Sequence, residues 1–404
     1  MTPVSAPSAA RRLSLVEFVA LMATLISTVA FSIDAMLPSL PEIAAELSPD
    51  DVNRAQLILG VFMLGMGIGT FVTGPLSDAI GRKPTLIGGM AIYIAGAIAS
   101  SLSTDLTLLL AGRFLQGLGA SGARTVPMAL IRDLHAGPQM ARITSIIMTC
   151  FIIVPAFAPM AGGLIAHWAG WRGVFWAFVL FGAIGAVWLG LRQPETLRPE
   201  DRRRLDLRAL LAGVREVLAN RNVRILTAVL ALGFGQMFAM LSSAKQVYMA
   251  YGVDKTFPYW FGAVALMGGT ASIVNAKLVM RLGMFRIARG AFAMQVVSSA
   301  VMLGLHFAGL GPGWAGLIVL FLWNGSVVCV ASLAFGNLNA MAMQPMGHLA
   351  GTTVSVTTAL STVAAVALIA APVGLAFDGT AVPLVGATLC CSALAWALMG
   401  RVTR

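Results

Sequence analysis

Charge is scarce in this chain. Only 11% of its 404 residues are charged, whereas 58% are hydrophobic and the mean hydropathy is +0.87. A soluble domain carries roughly 25% charged residues, so a soluble globular fold is excluded: this much apolar surface has only lipid to face. Cysteine is equally sparse. Cys150, Cys329, Cys390 and Cys391 all lie inside apolar runs, which suits isolated thiols and excludes a disulfide framework. Histidine occurs four times, at His135, His167, His306 and His348, with no metal-ligand spacing. A phosphate-cradling glycine loop, a zinc motif and a nucleophile elbow are all missing. The sequence therefore offers no metal site, no cofactor site and no catalytic constellation, and it reads as a non-enzyme.

What is present is a series of long apolar runs. Each approximates the 20 residues that cross a hydrocarbon core of about 30 Å. They fall at 14–37, 55–76, 84–102, 106–130, 142–165 and 172–191, then at 225–247, 258–280, 287–308, 313–335, 350–372 and 380–400. The first run is too long for a signal-peptide core and reads as an uncleaved helix. The fold class is thus all-α, with twelve transmembrane helices in two sets of six. The expected division is 1–191, a linker at 192–224, and 225–404. The linker holds nine arginines. Its later part repeats Leu205, Leu207, Leu210, Leu211, Val214, Val217 and Leu218 at helical spacing. It reads as a basic amphipathic helix on the membrane surface, or else as a solvated connection.

The formal net charge of +11 is explained by where the 27 Lys and Arg residues fall. With both termini in the cytoplasm, only Arg54, Arg172 and Lys255 lie on the far side. Arg113, Arg124 and Lys245 lie within spans. The positive-inside rule sets that orientation, and the basic loops face anionic lipid rather than nucleic acid. A weak internal repeat accompanies it: Gly74 to Gly81 follows the second span, and Ala276 to Gly283 follows the eighth.

Ionisable groups inside spans are costly, and they mark cavities or partners. Glu17 and Asp34 are the only carboxylates in any span. Glu17 sits near the cytoplasmic interface. Asp34 ends the first span, where burial disfavours its charged form, so it is either a proton carrier or an interfacial cap. Arg113 stands in the fourth span with Gln116 on its face three residues on. Arg124 lies nearly in line, facing the same cavity or snorkelling. Lys245 in span seven either favours an anionic or polar substrate or snorkels to the interface. Gln236, Met240 and Asn324 join Gln116 and Lys245 as candidate cavity residues, although polar side chains also glue helices together.

Four motifs carry a family resemblance. Gly74-Pro-Leu-Ser-Asp78-Ala-Ile-Gly81-Arg82-Lys83 resembles the signature loop of the major facilitator superfamily, G-x-L-x-D-x-x-G-R-K, in which the loop gates alternating access. Arg113-Phe-Leu-Gln116-Gly-Leu-Gly-Ala is similar to that family's fourth-helix motif in proton-coupled members. Pro155, with Ala158-Pro159-Met-Ala-Gly162-Gly163, resembles the antiporter motif of its exporters. Ile33-Asp34-Ala-Met-Leu-Pro-Ser-Leu-Pro41 resembles a run of the Bcr/CflA drug-resistance branch. The seventh span departs from that branch, with Ala244-Lys245-Gln246 where an apolar wall is expected. The resemblance implies a monomeric bacterial inner-membrane transporter that exports drug-like molecules or metabolites against proton entry, without a cofactor. It also implies Asp34 as proton site, Arg113 as its partner and Asp78 with Arg82 as a latch. A metabolite importer or uniporter is the alternative.

Overall fold

The computed structural model describes residues 13–202 and 207–402. Arg11, Arg12, Leu205 and Arg404 lie outside them. Among the described residues there is no strand. Nine segments of the described residues are long and apolar enough to cross a membrane. Two of those segments contain sharp breaks, and the charged helix Leu106–Leu134 falls below that apolarity. Dividing at the breaks and adding that helix gives twelve crossings. They are α1 (Leu15–Asp34), α2 (Leu57–Ile80), α3 (Arg82–Ser101), α4 (Leu106–Leu134), α5 (137–169) and α6 (171–192), then α7 (Arg221–Ala250), α8 (Phe257–Leu282), α9 (Met284–Phe307), α10 (Trp314–Met343), α11 (350–375) and α12 (Val382–Met399).

Local chemistry sets the ends of these helices. Ser14, Asp105 and Asn220 accept backbone N–H groups at the starts of α1, α4 and α7. Gly81 and Gly283 separate α2 from α3 and α8 from α9 with φ of +114° and +77°, a region that only glycine enters freely. The two glycines are the matching ends of the internal repeat, so the repeat holds at the level of backbone geometry. Gly170, with φ +65°, turns α5 into α6.

Close packing inside the first half depends on absent side chains. A Cβ at Gly117 of α4 would lie 2.0 Å from the Phe62 carbonyl oxygen of α2. One at Gly119 would lie 2.3 Å from the Tyr93 nitrogen of α3. Small residues let backbones touch where lipid offers no hydrophobic drive for association.

The halves meet along α2 with α11, where Gly67 abuts Thr362, and along α5 with α8, where Gly262 abuts the Ala156 carbonyl. The linker helix Leu207–Ala219 buries Val217 against Val223, Met346 and Val356, with Phe71 of α2 alongside. Val214, Val217 and Leu218 of its apolar side therefore rest on protein, because the start of α11 offers a hydrophobic seat, while Leu211 stays exposed. Glu216 on this helix pairs with His348 at 2.7 Å.

Candidate functional site: a clamped carboxylate, a basic-end latch and an opposite-end seam

The last turn of α1 is held from three sides. The Ser32 hydroxyl shares a 2.5 Å hydrogen bond with the Tyr93 hydroxyl of α3. Arg113 of α4 donates to the Ser32 carbonyl at 3.2 Å, to Gln116 Oε1 at 2.7 Å and to the Ile58 carbonyl of α2 at 3.4 Å. Its guanidinium also stands 4.3 Å from the Phe62 ring centroid, a cation–π distance. From α5, Gly162 packs so closely that a Cβ there would lie 1.8 Å from the Ala35 carbonyl oxygen.

Asp34 sits inside this clamp at 5% exposure, next to Ala35. Among the described residues no hydrogen bond or ion pair to its carboxyl is found. Arg113 is fully buried and satisfied by neutral oxygens instead. The expected partners thus share a junction, two residues apart along α1, without touching. A buried acid and a buried cation that serve the same turn, each free of the other, can form an ion pair as the surrounding helices move and the acid gives up its proton.

At the basic end, Arg82 begins α3 and gathers the loop. It pairs with Asp78, with Asp133 of α4 at 3.0 Å, and donates to Ser77 Oγ at 2.8 Å. The carboxylate at the α3 N-terminus lies outside the motif loop. Glu195 of the linker accepts from the backbone N–H groups of Arg82 and Lys83, both at 3.1 Å. Gly81 leaves it room: a Cβ there would lie 2.4 Å from Glu195 Oε2. Lys83 reaches the Gly190 carbonyl at 2.7 Å. Gly74, the first glycine of the motif, faces Ser355 of α11. Sequence reasoning missed Asp133 and Glu195 because neither lies in a motif; their proximity is purely tertiary.

Glu195 is open to test. Replacing it with Ala strands two helix-initiating N–H groups, and an unsatisfied buried donor costs about 1–3 kcal/mol. A lower thermal midpoint of the purified protein is the expected result, with Glu195→Gln intermediate.

At the opposite end the halves are stitched together. Gln56, just before α2, accepts from Ser243 Oγ at 2.7 Å and donates to Gln246, both on α7. Asn53 donates to the Phe377 carbonyl at 2.8 Å and more weakly to Leu375. At the basic end the corresponding space is open: a cavity of about 960 Å3 lies between the halves. Pro75, Asp78, Met128 and Arg132 face Thr352 and Ser355 across it.

The five candidate cavity residues lie elsewhere. Gln116 sits on Arg113, while Gln236 accepts from Ser392 at 2.7 Å. Met240 is fully buried, and Asn324 donates to the Tyr248 hydroxyl at 3.2 Å. Lys245 is buried against Asp254, with which it forms an ion pair, and stands 5.3 Å from the Phe257 ring centroid. Its ammonium is thus committed in this state. Pro155 and Pro159 both lie within α5, with Gly163 following Gly162 and in ordinary contact with Pro38.

Comparison with known proteins gives a consistent result. The model of the Major Facilitator Superfamily matches residues 20–372. An uncharacterized MFS-type transporter of Bacillus subtilis, YdgK, is 30% identical over 354 residues, covering 85% of each chain. A bicyclomycin resistance protein homolog of Haemophilus influenzae is 29% identical over 329 residues, covering 80% of each. The crystal structure of the POT family transporter PepTSo superposes with a TM-score of 0.76 at 13% identity, over 98% of both chains, a likeness of fold alone.

Proposed function

This chain belongs to the major facilitator superfamily, and from that premise we propose that it is a proton-coupled exporter of drug-like small molecules or metabolites. The observation that carries the proposal is the asymmetry between its two ends. Hydrogen bonds from Gln56 and Asn53 close one end, while about 960 Å3 stand open between the halves at the other. A passage with one closed gate and one open mouth is one half-cycle of alternating access. The relative named for bicyclomycin resistance, and the antiporter-like run through Pro159 and Gly163, favour the export direction.

In this reading the protein is a monomer in the bacterial inner membrane with both termini in the cytoplasm. The basic end is cytoplasmic, as the positive-inside rule requires. Residues 1–191 and 225–404 are the two moving bundles, and 192–224 connect them. Asp34 carries the proton. Arg113 holds the last turn of α1 and answers the carboxylate charge when the proton leaves. Gly74, Asp78, Gly81, Arg82 and Lys83 form the cytoplasmic latch. Gln116, Gln236, Met240, Lys245 and Asn324 meet the substrate when the bundles rock apart at the opposite end, so their burial here belongs to the closed seam.

Uptake into inverted membrane vesicles tests the proposal, with bicyclomycin as probe. An acidic lumen should drive accumulation, and a protonophore should abolish it. Accumulation that ignores the gradient would overturn the coupling, and release driven by the same gradient would reverse the direction.

A further inference from the structure

Beside the passage between the halves, two arginines of α4, Arg124 and Arg132, make no ion pair among the described residues. Thr125, Met128, Ala129 and Arg132 of α4 line the 960 Å3 cavity. Arg124 lies four residues before Met128, on the same face and one turn deeper. It is exposed, and its one polar contact among the described residues is Met66 Sδ of α2 at 3.9 Å, a weak acceptor. Arg124 is not itself among the cavity-lining residues, but the Met66 it reaches precedes Gly67, which abuts Thr362 of α11, so its guanidinium approaches α2 beside the seam between the halves. It also stands ten residues, about 15 Å along the axis, from the end of α4.

Of the carboxylates nearby, three are engaged and Asp201 is not, among the described residues. Asp78 and Asp133 pair with Arg82, and Glu216 pairs with His348. Asp201, on the linker, stands among the cavity-lining residues. Arg132 makes no ion pair among the described residues. The facing wall from α11 offers Thr352 and Ser355, which are neutral. Lys245, the other cation of interest, is held by Asp254.

We infer that the transported molecules include organic anions, and that Arg124 is the side chain that receives their acidic group. An unpaired guanidinium within a span is costly unless something pairs with it, and its planar fork suits a carboxylate, sulfonate or phosphate. Arg132, two turns nearer the mouth, draws such a molecule in from the cytoplasmic side. The wall around Met128 and Val354 accepts its apolar body. The inference rests on the transport reading above and narrows its substrate class.

Three probes with one aromatic body and different charge test it in proteoliposomes of the full chain: naphthalene-2-sulfonate, naphthalene-2-sulfonamide and 2-naphthyltrimethylammonium. The sulfonate should enter fastest under an imposed pH gradient. In Arg124→Gln its rate relative to the sulfonamide should fall by about tenfold or more, the size of one charge-assisted hydrogen bond. Arg124→Lys should recover part of the loss, and Arg281→Gln, outside the cavity, none of it should be lost. A wild-type preference for the ammonium probe, or an Arg124→Gln variant with unchanged sulfonate preference, overturns the anion assignment while leaving transport standing. If none of the three probes moves while bicyclomycin does, the anion assignment falls alone; if bicyclomycin does not move either, the transport reading fails and takes the inference with it.

Discussion

Asp34→Asn is expected to reduce pH-gradient-driven accumulation to the level of empty vesicles while leaving substrate exchange intact. The carboxyl is buried at the end of α1, and no neighbour donates to it or pairs with it among the described residues. Asparagine has nearly the same shape and cannot release a proton. The contacts that hold this turn, from Tyr93 and Arg113 to Ser32, do not involve the Asp34 side chain. The variant should therefore insert, purify and melt close to the parent. Exchange of labelled for unlabelled substrate across an unenergised membrane needs no net proton movement and should continue. Gradient-driven accumulation at the parental rate in the Asn variant would remove Asp34 from the coupling mechanism.

The second large effect comes from neighbouring glycines that differ in what surrounds them. Gly162→Ala places a Cβ 1.8 Å from the Ala35 carbonyl oxygen, a backbone atom that cannot swing aside. Either α5 or the last turn of α1 must shift, at the turn that presents Asp34. Overpacking of this kind costs about 1–3 kcal/mol, against a gain of about 1 kcal/mol from replacing a helical glycine. The net should be a lower melting temperature and transport lost by more than tenfold. At Gly163 the nearest atom to a new Cβ is Pro38 Cβ at 3.8 Å, an ordinary contact. Gly163→Ala should keep transport and melt no lower than the parent. Equal behaviour of the two variants would show that the contact between α5 and α1 does not control the site.

The helices themselves were readable because lipid imposes a simple rule. Every run of apolar residues near 20 long forms a helix, since its backbone has no other partner for its N–H and C=O groups. The expected spans at 106–130 and 350–372 both correspond to observed helices, Leu106–Leu134 and 350–375. The motif loop was readable for a related reason: Gly81 must adopt a positive φ there, and its counterpart Gly283 marks the same turn in the second half.

The roles of individual charges were less readable. Lys245 looked like a free cation in its span, yet Asp254, nine residues on and around a turn, takes it. Asp78 was the one carboxylate of the motif loop, yet it is Glu195 of the linker that accepts from the first N–H groups of α3. Gln56 carried no motif at all, and it joins the halves through Ser243 and Gln246.

Sequence by itself determined the number of helices, their order, the orientation expected from the basic loops and the family. These follow from hydropathy, charge count and motif spacing, which are properties of the linear chain. Tertiary structure alone decided which buried charges are satisfied and which end is closed. Those depend on contacts across turns and between helices, from the nine positions that separate Lys245 from Asp254 to the 187 that separate Gln56 from Ser243, and a carbonyl oxygen such as that of Ser32 can serve a buried arginine as well as a carboxylate would.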